Sequence, residues 1–300
     1  MSAEINPSHM QQTLAATVTL CGIGVHTGAS ANMVLSPAPI GSGIRFFRSD
    51  LPDPQPILAR ADHVTELKLG TTLSNEAGQS VATVEHFLAA CYGVGIDNLD
   101  VALDGPEVPI MDGSSRNFVD AMSKVGLVAQ TQNKRRIRVI DPIEIEDGEK
   151  HAKLSPSDDP WLTLDAVIDF DSKVIGRQAA TVTLAPGAFA DQIGFARTFG
   201  FAHEVEALQK IGLARGGSLD NAIVIEGDGI LNSEGLRVDD EFVRHKILDA
   251  VGDLMLAGAP ISGRYEAYLP GHALNNQLVL KLLATPNAWR WEDASSPRSV

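Results

Sequence analysis

The chain has 300 residues, 44% hydrophobic and 21% charged, enough apolar material for a packed core and too much for wholesale disorder. Its formal net charge is -14, from 24 Lys+Arg against 38 Asp+Glu, which repels phosphate backbones and argues against nucleic-acid binding. Two cysteines, Cys21 and Cys91, cannot supply a zinc-finger set and suit a reducing compartment.

The first dozen residues read as a loose leader. They lack the charged start of a secretory signal, since the first Lys or Arg is Arg45. No run approaches about 18 apolar residues, so no membrane-spanning helix is expected, and the chain reads as soluble and cytoplasmic. Strand-like Val, Thr and Leu fill residues 14–35, interrupted at Gly22-Ile23-Gly24. A Pro/Gly-rich stretch, 37–43, leads to an apolar run at 44–47. Residues 80–88 read as a helix capped by Ser80 or Thr83. A strand follows at 99–103, then a turn-rich passage through Asp112-Gly113 into a helix over 115–125, ended by Gly126.

The polar, basic segment 129–136 marks a domain boundary. Beyond it, 137–145, 151–154 and 161–170 read as a meander of strands. Residues 201–211 have helical spacing, 221–226 form a short strand, and a long helix over 239–257 stops at Gly258 and Pro260. A last helix covers 274–283, and the residues from Pro286 read as a loose tail. Strands and helices without strict βαβ alternation imply two α+β domains, 13–128 and 134–285, with a tail at 286–300.

The long helix carries the most chemistry. Val243, Ile247, Val251 and Leu254 share one apolar face. His245, Asp249 and Asp253 form a separate stripe about 80° wide, flanked by Phe242 and Leu256, so that it too is expected to be buried. A His and an Asp one turn apart converge on a point where they can ligate one metal ion, although isolated pairs of this spacing also occur as plain polar contacts. Glu85-His86 is the second constellation. Adjacent helical residues point about 100° apart, so a His on a metal leaves the Glu beside it, where a general base acts on water. Position 90 is Ala, so the His-Glu-x-x-His motif is absent, and an exposed Glu-His pair remains the alternative. Gly271-His272 suits a catalytic loop or a plain cap. Arg197-Thr198-Phe199-Gly200-Phe201 suits core packing or the wall of a ligand pocket. Two His and one Asp beside a Glu, with His272 and Asp253 to spare, have the composition of a catalytic zinc site with an open position.

Six motifs occur in order: Thr83-Val84-Glu85-His86, Gly95-Ile96-Asp97-Asn98, Pro109-Ile110-Met111-Asp112-Gly113-Ser114, Ala196-Arg197-Thr198-Phe199-Gly200-Phe201, Glu241-Phe242-Val243-Arg244-His245-Lys246-Ile247-Leu248-Asp249 and Gly271-His272-Ala273-Leu274-Asn275-Asn276. Together they resemble the UDP-3-O-acyl-N-acetylglucosamine deacetylases of lipid A biosynthesis, over roughly residues 13–283.

The resemblance implies two similar domains, each a small β-sheet layered with α-helices, with the active site at their interface. It implies a zinc amidase (Zn2+ as cofactor) that hydrolyses the acetamide of UDP-3-O-(3-hydroxyacyl)-N-acetylglucosamine by zinc-bound water, the committed step of lipid A biosynthesis. The zinc ligands fall on His86, His245 and Asp249. The general base falls on Glu85, the electrostatic or acid group on His272 with Asp253 beside it, and the oxyanion hydroxyl on Thr198. Phe199, Lys246, His26 and Lys150 fall at substrate-binding positions, with residues 201–218 beside the acyl chain. The implied partner is a small acylated nucleotide sugar handled by a monomer, with at most a transient approach to a membrane surface. Leu269-Pro270 departs from the family, which sometimes carries a basic residue there to contact the diphosphate. The rival readings are a deacylase of another N-acyl sugar, a non-catalytic nucleotide-sugar binder and a structural zinc protein.

Overall fold

A computed structural model describes residues 9–293. The first part contains β1 (Met10–Leu14), β2 (Val18–Ile23), β3 (Ser30–Pro37), β4 (Ile44–Arg48), β5 (Ile57–Leu58), β6 (Val64–Glu66), β7 (Thr72–Ser74), β8 (Ser80–Val81), α1 (Glu85–Val94), β9 (Leu99–Leu103), α2 (Arg116–Val125) and β10 (Leu127–Asn133). The second contains β11 (Arg135–Val139), β12 (Ile143–Asp147), β13 (Lys150–Ser155), β14 (Leu162–Asp169), β15 (Arg177–Thr183), α3 (Ala188–Gln192), β16 (Phe199–Phe201), α4 (Ala202–Lys210), β17 (Ile223–Glu226), β18 (Gly229–Ile230), α5 (Glu241–Met255), β19 (Ile261–Tyr268), α6 (His272–Leu283) and β20 (Trp289–Asp293). The α+β class expected from the sequence is borne out.

Each part has its own main sheet. The first runs β2-β3-β9-β4-β5, with β9 antiparallel to β3 and parallel to β4. Strict alternation in Leu99-Asp100-Val101-Ala102-Leu103 turns Leu99, Val101 and Leu103 inward with no exposure. The second is seven-stranded, along β12-β13-β19-β11-β20 with β14 and β15 beyond β19. One apolar cluster runs through both parts.

At the centre α1 packs on α5. Both are short of polar surface: residues 85–91 of α1 are buried, and in α5 the apolar face (Val243, Ile247, Val251) and the stripe His245, Asp249 and Asp253 are buried alike. The helices approach so closely that a Cβ at Gly252 would overlap the backbone carbonyl of Glu85. Glycine is therefore required at 252 by space. Gly252→Ala is expected to force the helices apart and to destabilise by about 1–3 kcal/mol, as overpacked cores do, measured as a lower urea midpoint at unchanged slope.

Several elements differ from the sequence reading. Ser80 and Val81 pair with β7, and Thr83 takes φ 58, so α1 starts at Glu85 rather than at 80. The strand at 137–145 is broken around Pro142, which lacks an amide donor, giving β11 and β12. The meander fails because β19, unforeseen, lies between β13 and β14. The polar segment 129–136, expected as a domain boundary, is mostly strand, in β10 and β11, with Lys134 between them bonded to the Gly95 carbonyl at 2.9 Å and paired with Asp97 at 3.1 Å. Part of the expected leader is β1, paired with β10. Part of the expected tail is β20, paired along β11. Residues 1–8 and 294–300 lie outside the described residues.

Candidate active site

The α1–α5 crossing brings His86, His245 and Asp249 together, with their ligand atoms within 4.8 Å of one another. Asp249 Oδ1 stands 3.4 Å from His86 Nε2 and 3.4 Å from His245 Nε2. The two imidazoles meet edge to face at 4.9 Å. His245 Nδ1 lies 3.1 Å from the Ala196 carbonyl. A donated bond there fixes the tautomer and leaves Nε2 as a lone pair facing the cluster. Burial pushes the His245 pKa down to about 3, with the His86 and Lys246 charges adding to it against Asp249. The ring is therefore neutral, as a metal ligand must be. Burial favours the acid form of Asp249, but its polar surroundings, the Lys246 ammonium and the His86 ring among them, outweigh it and hold its carboxyl well below the usual range. Asp249 Oδ1 is buried without a hydrogen-bond donor, while Oδ2 takes the Lys246 ammonium at 2.8 Å. A buried anionic oxygen left open between two imidazole nitrogens fits a divalent cation held by N and O ligands.

Glu85 sits beside this cluster, 4% exposed. Its Oε2 accepts the Thr71 N–H at 2.9 Å, and its Oε1 lies 3.9 Å from His272 Nε2. A Cβ at position 70 would come within 2.8 Å of Oε1, so Gly70 makes room for this carboxylate. His272 opens α6, and its Nδ1 donates to Asp253 Oδ2 at 2.9 Å. Burial opposes charge on this ring, but Asp253, with Glu85 and Asp249 behind it, raises its pKa to about 10. Asp253 Oδ2 also accepts Asn275 Nδ2 at 2.9 Å, and Tyr265 Oη donates to Asn275 Oδ1 at 2.6 Å.

Of the other residues singled out in the sequence, Phe199 and Lys246 touch this cluster. Thr198 is fixed by its backbone, donating to the Gly113 carbonyl and accepting from Ile223, each at 2.8 Å. Just upstream, Arg197 reaches Glu241, Glu234 and the Gly235 carbonyl, tying the 196–198 strip to the start of α5. Phe199 packs on Phe242 at 4.9 Å and on His245 at 6.1 Å. The Lys246 ammonium lies 5.4 Å from its ring centre, so that Lys246 is here engaged by Asp249 and Phe199. His26 Nε2 lies 3.2 Å from the Leu69 carbonyl, next to the Gly70-Thr71 strip. Lys150 is exposed at the turn between β12 and β13.

Sequence reasoning missed four residues. Thr71, Tyr265 and Asn275 are fully buried behind the carboxylates. Glu107, 1% exposed, accepts the N–H groups of His26 and Thr27 and the hydroxyls of Thr27 and Thr83, and so fastens the His26 loop to the approach of α1. Asn275 alone left a signal, one helical turn after His272. A separate cavity of about 590 Å³ opens at the far end of α5, by Met255, Leu256 and Trp291; Glu85, His86, His245, Asp249, Asp253 and His272 do not line it.

Residues 11–284 match the family model described as UDP-3-O-acyl N-acetylglycosamine deacetylase. The chain belongs to that family. It is 47% identical over 281 residues, 93% of this chain and 95% of the relative, to a UDP-3-O-acyl-N-acetylglucosamine deacetylase of Phenylobacterium zucineum. Proteins of the same name from Idiomarina loihiensis and Myxococcus xanthus are each 46% identical, over 96% and 94% of this chain and 95% and 89% of their own. The family expected from the six motifs is borne out, and with it the reading as a deacetylase, an enzyme acting on an amide. No helix among the described residues is long and apolar enough to cross a membrane.

Proposed function

We propose that this chain hydrolyses the acetamide of a UDP-3-O-acyl-N-acetylglucosamine to acetate and the free amine, the committed step of lipid A biosynthesis. The observation that carries the proposal is the meeting of His86, His245 and Asp249 with Glu85 and His272 on one side, inside a chain of this family. Zinc is the proposed metal, held by those three residues, and when bound it would supply a Lewis acid for the acetamide carbonyl and acidify water.

The chain's own groups do the rest. Glu85, with Oε2 pinned by Thr71, has Oε1 free to take the proton of the attacking water. The Thr198 hydroxyl donates to the oxyanion as the carbonyl carbon becomes tetrahedral. His272, charged and anchored through Nδ1 to Asp253, has Nε2 free to stabilise that charge and to protonate the leaving nitrogen. Phe199 and Lys246 border the sugar, and His26 and Lys150 the nucleotide end. The acyl chain runs along residues 201–218, where α4 buries none of its side chains. Lys134 is the proposed joint between the two domains, with the site between them. A single chain supplies every group, consistent with a monomer, and two free cysteines suit the cytoplasm.

The test is deacetylation of UDP-3-O-acyl-N-acetylglucosamine before and after chelation, with zinc measured on the same sample. One zinc per chain is expected, with activity lost on chelation and restored by zinc. Bound zinc without turnover would overturn the substrate; neither zinc nor turnover would overturn the reaction.

A further inference from the structure

One residue touches both carboxylates of the proposed acid–base pair. Thr71 is 0% exposed, and each of its polar groups is committed. Its N–H donates to Glu85 Oε2 at 2.9 Å, its hydroxyl donates to Asp253 Oδ1 at 2.8 Å, and its carbonyl accepts the Val84 N–H at 3.3 Å. Glu85 opens α1, whereas Asp253 lies on α5, 182 positions from Thr71. The two helices otherwise meet through apolar packing, the Gly252 crossing and the approach of His86 to His245 and Asp249.

We infer that Thr71 is the positioning residue that holds the general base and the His272–Asp253 pair in register, its amide selecting the free oxygen of Glu85 and its hydroxyl fixing the plane of the Asp253 carboxylate. The inference rests on the acid–base reading above. With Oε2 occupied by the amide, Oε1 is the oxygen left toward His272. With Oδ1 occupied by the hydroxyl, the closest contact of Asp253 to His272 Nδ1 is through Oδ2. Without the hydroxyl the carboxylate can turn about its terminal bond, a soft torsion, and the imidazole turns with it.

Four variants separate this role from packing. Thr71→Val keeps the shape and loses the hydroxyl; Thr71→Ser keeps the hydroxyl and loses the methyl. Thr71→Val is expected to lower kcat about tenfold, the size of effect when a hydrogen bond to a charged group is lost, with KM and zinc content unchanged. Thr71→Ser is expected to restore kcat to within about twofold. If Thr71→Val fails to fold, Thr71→Ser against Thr71→Ala gives the same comparison at nearly constant size. An unchanged kcat in Thr71→Val, or a Ser variant as impaired as the Val or Ala variant, would overturn the inference. Glu85→Gln run alongside keeps the two readings distinct. Activity retained there would overturn the base assignment and this inference with it. Activity lost there but kept in Thr71→Val would overturn this inference alone.

Discussion

Glu85→Ala is expected to fold, to take up zinc, and to turn over acylated nucleotide sugar about 10²–10⁴-fold more slowly, the usual contribution of a positioned base. The separation of effects follows from α1. Neighbouring side chains on a helix diverge by about 100°, so truncating Glu85 leaves the His86 ring and its approach to Asp249 in place. The close crossing at Gly252 involves the Glu85 carbonyl rather than its side chain, so the packing of α1 on α5 also survives. The structural loss is one acceptor, leaving the buried Thr71 N–H unpaired at a cost of about 1–3 kcal/mol, visible as a lower melting point. Zinc content, melting and single-turnover rate on one preparation check all three parts. Turnover near the parent value would remove Glu85 from the role of base.

How far the sequence reveals this site depends on the length over which each relation acts. His245, Asp249 and Asp253 are one and two turns apart on a single helix, so periodicity alone places them on one stripe, and the flanking Phe242 and Leu256 already indicate burial. Glu85-His86 is a neighbouring pair whose divergence is a property of any helix. The closing of these two helices on each other has no such local sign: it depends on Gly252 meeting the backbone of Glu85, a contact across more than half the chain. Thr71, Tyr265 and Glu107 escape for the same reason, since a threonine before a short strand and a glutamate after a Gly-Pro turn look like surface residues until their long-range partners are known. The elements misread were those whose local pattern is weak. β19 carries Gly263 and Arg264 between its apolar positions, which blurs its alternation. Ser80 to His86 has no breaker in its sequence, and only the left-handed backbone at Thr83 divides strand from helix.

Asp253→Asn is expected to move the alkaline limb of the pH–kcat/KM profile from about 10 toward the ordinary histidine value of about 6.5, so that the deficit is severe at pH 8–9 and narrows near pH 6. The imidazolium form of His272 is the one able to stabilise charge and donate a proton, and it persists to high pH because burial, which opposes the charge, is outweighed chiefly by Asp253. A histidine whose pKa is raised on folding contributes stability that is fully present below the unfolded value, and that contribution disappears as pH climbs through the folded one. The parent enzyme should therefore lose stability between about pH 7 and 10, ahead of the fall in activity near 10, and the variant should show a flatter curve. The substitution suits the site sterically. Both His272 Nδ1 and Asn275 Nδ2 donate toward Oδ2, so the carboxamide that replaces the carboxylate would keep its oxygen there. Its nitrogen would take the Oδ1 position, where the Thr71 hydroxyl can turn to accept. Geometry is thus largely retained while the charge is removed, and the profile reads the charge alone. A limb that stays near 10 in Asp253→Asn would mean that another group limits the reaction at high pH and that His272 is not the acid.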